Sequence, residues 1–140
     1  MRMLAIALLA LLIARAELPQ WTSVADTNVP AAVVFVVDNS GSMGYVHRGS
    51  TLLDRGKRLA QQVMDSLPPG SRMAVLPTES APDRLAFQAD RRFLADQIGA
   101  VGPTFGTRTV GASLTRALAM LARIDMPRKE VFVVSDMTAQ

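Results

Sequence analysis

The sequence predicts an α/β fold, a doubly wound and mostly parallel sheet with helices on both faces. Three observations predict it. Residues 33–37 (VVFVV) form an unbroken apolar, mostly β-branched run that ends in Asp38, Asn39, Ser40, Gly41 and Ser42. A short run of this kind closed by turn residues reads as a strand buried on both faces, as in the middle of a parallel sheet. Residues 131–134 (VFVV), after Glu130, repeat the pattern and end in Ser135 and Asp136. Between the two runs, apolar residues recur at three- and four-residue spacing, as in the amphipathic helices that connect parallel strands.

Length and composition set the bounds. A chain of 140 residues with 49% hydrophobic and 19% charged residues is one domain with enough apolar material for a core. The formal net charge is +3. Basic residues are scattered, with Lys57-Arg58, Arg91-Arg92 and Arg128-Lys129 as adjacent pairs, and no basic run is interleaved with aromatics. That pattern argues against nucleic acid as a partner. The absence of cysteine excludes disulfides, thiolate nucleophiles and zinc-thiolate sites.

The elements follow in order. Residues 3–14 are apolar, follow Arg2, and fall short of the ~20 residues a spanning helix needs. Ala14-Arg15-Ala16 then offers an A-x-A cleavage pattern. Residues 1–16 are therefore expected to be a cleaved secretory signal or a short membrane anchor, and either sends the domain to the membrane or cell envelope. Residues 17–30, with Trp21 and two prolines, read as a linker, and residues 31–140 as the domain. After the first strand, Leu52, Leu53, Leu59, Ala60, Val63, Met64 and Leu67 mark an amphipathic helix, weakened by Gly56 and stopped by Pro68-Pro69-Gly70. Met73 to Leu76 predicts a short strand. Residues 84–89 alternate and predict a second, which would form an edge hairpin with it. Residues 91–98 predict a short helix, and residues 99–108 a Gly/Thr-rich loop. Val110, Leu114, Ala117, Leu118, Leu121 and Ala122 predict a last helix before Pro127, and residues 130–134 the closing strand.

Ligands in open α/β sheets bind beyond the carboxyl ends of the strands. If the first and last strands are parallel neighbours, Asp38 and Asp136 emerge side by side there. The Thr107-Arg108-Thr109 loop, just before a helix, opens on the same edge. Two carboxylates with the hydroxyls of Ser40, Ser42 and a threonine make an oxygen-only donor set, which suits Mg²⁺ or Mn²⁺. A cation held by so few charges can still take an outside carboxylate. Each residue also has a plainer role. Asp38 to Ser42 could be an ordinary turn, Thr109 a helix cap, and Asp136 a loop residue. His47, the sole histidine, reads as a solvated loop residue, and Met43 and Met137 as lining beside the site.

An apolar strand, D-x-S-x-S, a threonine before a helix, and a strand ending in Ser-Asp together resemble the von Willebrand factor type A (vWA) domain, over about residues 31–140. The resemblance implies its metal-ion-dependent adhesion site (MIDAS), with Asp38, Ser40, Ser42 and Asp136 as metal residues. The threonine is Thr109 or Thr107, because the spacing to Leu114 places the family's position on Arg108. The wording DNS-x-SM and SDM, behind an apolar segment, looks most like the bacterial membrane-anchored aerotolerance (BatA-like) group. That group implies a MoxR-type AAA+ ATPase as a partner. The family's sheet normally continues with further strands and helices, so the resemblance also implies that the sequence is a fragment.

Function then divides into three classes. The first is a metal-dependent module that recruits an acidic side chain of a partner protein. The second is a regulatory or adaptor subunit beside a MoxR-type ATPase. This chain has no G-x-x-x-x-G-K-[ST] loop of its own. The third, an enzyme, is not expected. A serine nucleophile needs a positioned base, and an aspartate phosphotransferase usually carries a second carboxylate where Ser40 stands.

Overall fold

The computed structural model describes residues 28–79, 85–106 and 109–136. The expected signal or anchor (1–16), nearly all of the expected linker, and Thr107 therefore lie outside the described residues.

Strand β1 (Ala31–Val37) organises the rest, and all seven of its residues are inaccessible to solvent. It is the middle of a three-stranded parallel sheet of order β4-β1-β5, between β4 (Arg72–Pro77) and β5 (Arg128–Val134). Its side chains divide by the period of two. Ala31, Val33, Phe35 and Val37 join the core under helices α1 (Leu52–Ser66) and α2 (Arg91–Ala100). Ala32, Val34 and Val36 join the core under α3 (Val110–Arg123). A strand covered on both faces has no wet side, so the run in the sequence is continuous rather than alternating.

The helices begin and end where local chemistry dictates. Thr51 caps α1 through a capping box. Its hydroxyl accepts from the Asp54 N–H at 2.9 Å, and the Asp54 carboxylate accepts from the Thr51 N–H at 3.3 Å. These bonds from Thr51 hold the Asp54 carboxyl below its ordinary pKa. Leu53, Gly56, Ala60 and Met64 form the buried stripe of α1. Gly56 is there for contact rather than as a simple weakness, since a Cβ at this position would overlap the Val134 side chain of β5. Asp90 caps α2 by accepting from the N–H groups of Arg92 and Phe93. Thr109 caps α3 by accepting from Ala112 N–H at 3.3 Å.

The parallel pairing of the first and last strands, expected from their sequences, is present, with Val37 opposite Val134. The expected edge hairpin is not. The strand at 72–77 pairs in parallel with β1, and residues 85–89 contribute a single antiparallel bridge, Gln88 to Met73. The alternation at 85–89 lets that segment lie along the sheet, where Leu85 and Phe87 pack on the α3-side core, without a second ladder. The loop after β1 also holds structure that the sequence analysis left out. A 3₁₀ turn (Gly41–Gly44) leads into a small hairpin of β2 (Val46–His47) and β3 (Ser50–Thr51). Its tip, Arg48-Gly49, has positive φ at both residues, 53° and 82°, as the tightest hairpin turns require. No helix among the described residues is long and apolar enough to cross a membrane.

Candidate metal centre

The carboxyl edge of the sheet is built by extending its two ladders past the strands. The Asp38 N–H donates to Val134 O at 2.8 Å, and the Thr78 N–H donates to Val37 O at 3.0 Å. The ends of all three strands are thereby drawn together. Helix α3 brings its first turn to the same edge. It ends at Arg123, five residues before β5 starts at the opposite edge, so its amino end points back toward the strand ends.

Asp38 is nearly buried, and both of its carboxylate oxygens are engaged. The Ser40 N–H donates to Oδ1 at 3.0 Å, and Ser135 Oγ donates to Oδ2 at 2.8 Å. The second bond joins residues far apart in the chain and pins the end of β5 to the end of β1. Ser40 Oγ and Ser42 Oγ stand 3.1 Å apart. Two neighbouring ligands of an octahedral ion at about 2.1 Å would stand roughly 3 Å apart, so this hydroxyl pair has the spacing such an ion needs. Asp136 follows Ser135 directly at the end of β5. Thr109 is exposed at the start of α3, with its oxygen engaged in capping. Among the described residues no three His, Cys, Asp or Glu side chains gather to hold an ion by themselves. A cation at this edge would depend on the hydroxyls.

Asn39 is the framework residue that the sequence analysis passed over. It is buried, and its amide ties three loops together. Its Oδ1 accepts from Thr78 Oγ1 at 3.0 Å and from the Glu79 N–H at 2.9 Å, and its Nδ2 donates to Gly102 O at 3.1 Å. Its own carbonyl accepts from the Thr104 N–H at 2.7 Å. Asn39 thus holds the end of β4 and the loop after α2 against the Asp38 loop. The signal was available in Thr78 and Glu79, which follow a continuous apolar run just as Asp38 and Asn39 do. The Glu79 carboxylate fills the space a side chain on Gly106 would take. Met43, expected beside the site, instead turns inward and is 2% exposed in the core. Met137 and Thr107 lie outside the described residues. His47 is exposed on the hairpin.

A three-stranded parallel α/β unit with a hydroxyl-rich, carboxylate-bearing edge belongs to the class of doubly wound domains whose chemistry lies beyond the strand ends. A family model described as von Willebrand factor type A domain matches residues 33–138, and the chain belongs to that family. The chain is 32% identical over 113 residues to the minor fimbrium subunit Mfa5 of Porphyromonas gingivalis, a match that covers 77% of this chain and 9% of that protein. The crystal structure of the vWF domain of Mfa5, described as a type V pili tip protein, superposes with a TM-score of 0.56 at 30% identity. It covers 74% of this chain and 36% of that one. Proximal thread matrix protein 1 from the mussel byssus, described with a zinc-occupied MIDAS motif, superposes with a TM-score of 0.58 at 21% identity. It covers 77% of this chain and 29% of that one, and the likeness is one of fold.

Proposed function

We propose that this is a metal-dependent protein-binding domain of the cell envelope, and not an enzyme. Asp38, Ser40, Ser42, Asp136 and a threonine, Thr109 or Thr107, would hold the ion, and an acidic side chain of a partner protein would complete it. A bound divalent cation would supply the positive charge that such a carboxylate seeks. The residues of the chain supply its placement. Ser135 and the Ser40 N–H fix the Asp38 carboxylate, and the Ser40 and Ser42 hydroxyls face one another at 3.1 Å. The two hydroxyls lie within hydrogen-bond distance of one another, and their convergence next to a carboxylate fixed by two hydrogen bonds is the observation that carries the proposal.

All-oxygen donors favour Mg²⁺ or Mn²⁺ over zinc, which prefers nitrogen and sulfur. The zinc in the byssal structure makes it the third ion to test. A fimbrial relative supports an envelope location. The BatA-like resemblance adds two finer expectations, an anchor at residues 1–16 and a MoxR-type ATPase partner. Against catalysis stands the exposed position of His47, the sole histidine, on the hairpin.

Thermal melting of the full chain tests the metal. Millimolar Mg²⁺ or Mn²⁺ should raise the melting temperature in proportion to the logarithm of its concentration, since a ligand of the folded state stabilises by mass action. Asp38→Ala should abolish the shift. A folded chain whose melting point ignores all three ions refutes the site.

A further inference from the structure

The hairpin beside the site has features the metal does not explain. It is bonded directly onto the site turn, because the Tyr45 N–H donates to Ser42 O at 3.1 Å. Tyr45 and Val46 are 66% and 60% exposed, large apolar side chains displayed at its base. Its far end is basic. Arg48 stands at the tip, and Arg55 braces the hairpin from α1 by donating to His47 O at 2.8 Å and Ser50 Oγ at 3.2 Å. Arg58 reaches the same serine at 3.4 Å. The one acidic residue near them in sequence, Asp54, is committed to the cap of α1.

Arg48 itself is the telling residue. Its φ of 53° lies in the left-handed region, which Asn, Asp or Gly would occupy at less cost. No hydrogen bond or ion pair ties its guanidinium to the described residues. The turn needs positive φ at this position, but it does not need arginine, and nothing among the described residues ties the cation down. Strain of this kind concentrates where a side chain must be presented.

We propose that the Tyr45–Ser50 hairpin is a second contact for the partner, and that the partner is an acidic peptide segment. One carboxylate of the segment goes to the metal site. A second, further along, meets Arg48, and an apolar side chain between them packs on Tyr45 and Val46. Arg48 lies three residues beyond Tyr45, roughly 10 Å at the rise of a strand, and Tyr45 itself lies beyond the site turn, so the two acids should be more than three residues apart in an extended segment. The hairpin reading rests on the metal-site reading for the first carboxylate only.

Selection from phage-displayed dodecapeptides with one fixed aspartate, on the full chain in millimolar Mg²⁺, tests the hairpin. The wild type should enrich a second Asp or Glu at that spacing. Arg48→Asn, which suits the turn better, should keep or raise the melting temperature while weakening the selected peptides by roughly fivefold, the scale of one rim charge pair. No second acid on the wild type, or one equally preferred by Arg48→Asn, overturns the proposal. Repeating the selection with EDTA and with Asp38→Ala separates the two readings. An advantage of the fixed-aspartate library over one with alanine at that position that survives both treatments sinks the metal site, whereas the Arg48→Asn comparison alone decides the hairpin.

Discussion

At the scale of single residues, the candidate site separates side chains proposed to face a ligand from one that holds the loops in place. The sequence offers Asp38, Ser40 and Ser42 as candidates because they follow a buried strand at alternate positions, and the structure places the Ser40 N–H on the Asp38 carboxylate and the Ser40 and Ser42 hydroxyls against one another. Asn39 was not legible in the sequence, because asparagine in a turn cluster reads as turn chemistry. Only the fold shows that Thr78, Glu79, Gly102 and Thr104 converge on it. Asn39→Ala would strand the Glu79 N–H, the Gly102 carbonyl and the Thr78 hydroxyl in a poorly solvated place. At roughly 1–3 kcal/mol for each uncompensated group, and with partial relaxation, we expect a loss of about 2–3 kcal/mol in urea denaturation and a weaker metal-induced shift in melting temperature. A loss under about 0.5 kcal/mol would mean that the loops hold one another without the amide.

At the scale of elements, the same substitution should act in opposite directions at two glycines of the helices. Gly56 lies in the buried stripe of α1, where an added Cβ would overlap Val134; Gly99 lies near the end of α2 with open space around it. Gly56→Ala should lose about 1–3 kcal/mol through overpacking, more than the helix gains from alanine. Gly99→Ala should gain roughly half a kcal/mol. Thermal melts of the pair check both signs, and a stabilised Gly56→Ala would show that β5 yields easily. The pair also marks what periodicity can reveal. The three helices among the described residues and the strands β1, β4 and β5 follow from their apolar spacing, each within two residues of the observed ends. Periodicity does not reveal partners. Residues 84–89 alternate as a strand would, yet among residues 85–89 only Gln88 forms a bridge, on the edge of β4 away from β1. The β2–β3 hairpin escaped notice because two-residue strands are too short for any period to register.

At the scale of the whole molecule, the candidate site and the stability of the fold share one strand. β1 is buried along its length, both neighbours pair with it, and Asp38 continues it directly into the site. A ligand at Asp38 should therefore report on global unfolding rather than on loop order. Native-state hydrogen exchange can separate the two. The Asp38 N–H, bonded to Val134 O, and the Thr78 N–H, bonded to Val37 O, should exchange only through global opening, and Mg²⁺ should raise the protection of both by the amount it adds to the unfolding free energy. At a hundredfold excess over Kd that amount is about 2.7 kcal/mol. Amides of the exposed β2–β3 hairpin should exchange through local opening and respond little to the ion alone. The contrary result is specific, because β5 is only half-buried and lies at the edge of the described sheet. If Asp38 exchanges far more readily than Thr78, then β5 detaches by itself and takes Ser135 and Asp136 with it. Metal affinity would then follow the docking of that one strand, and the link between ion and global stability would fail.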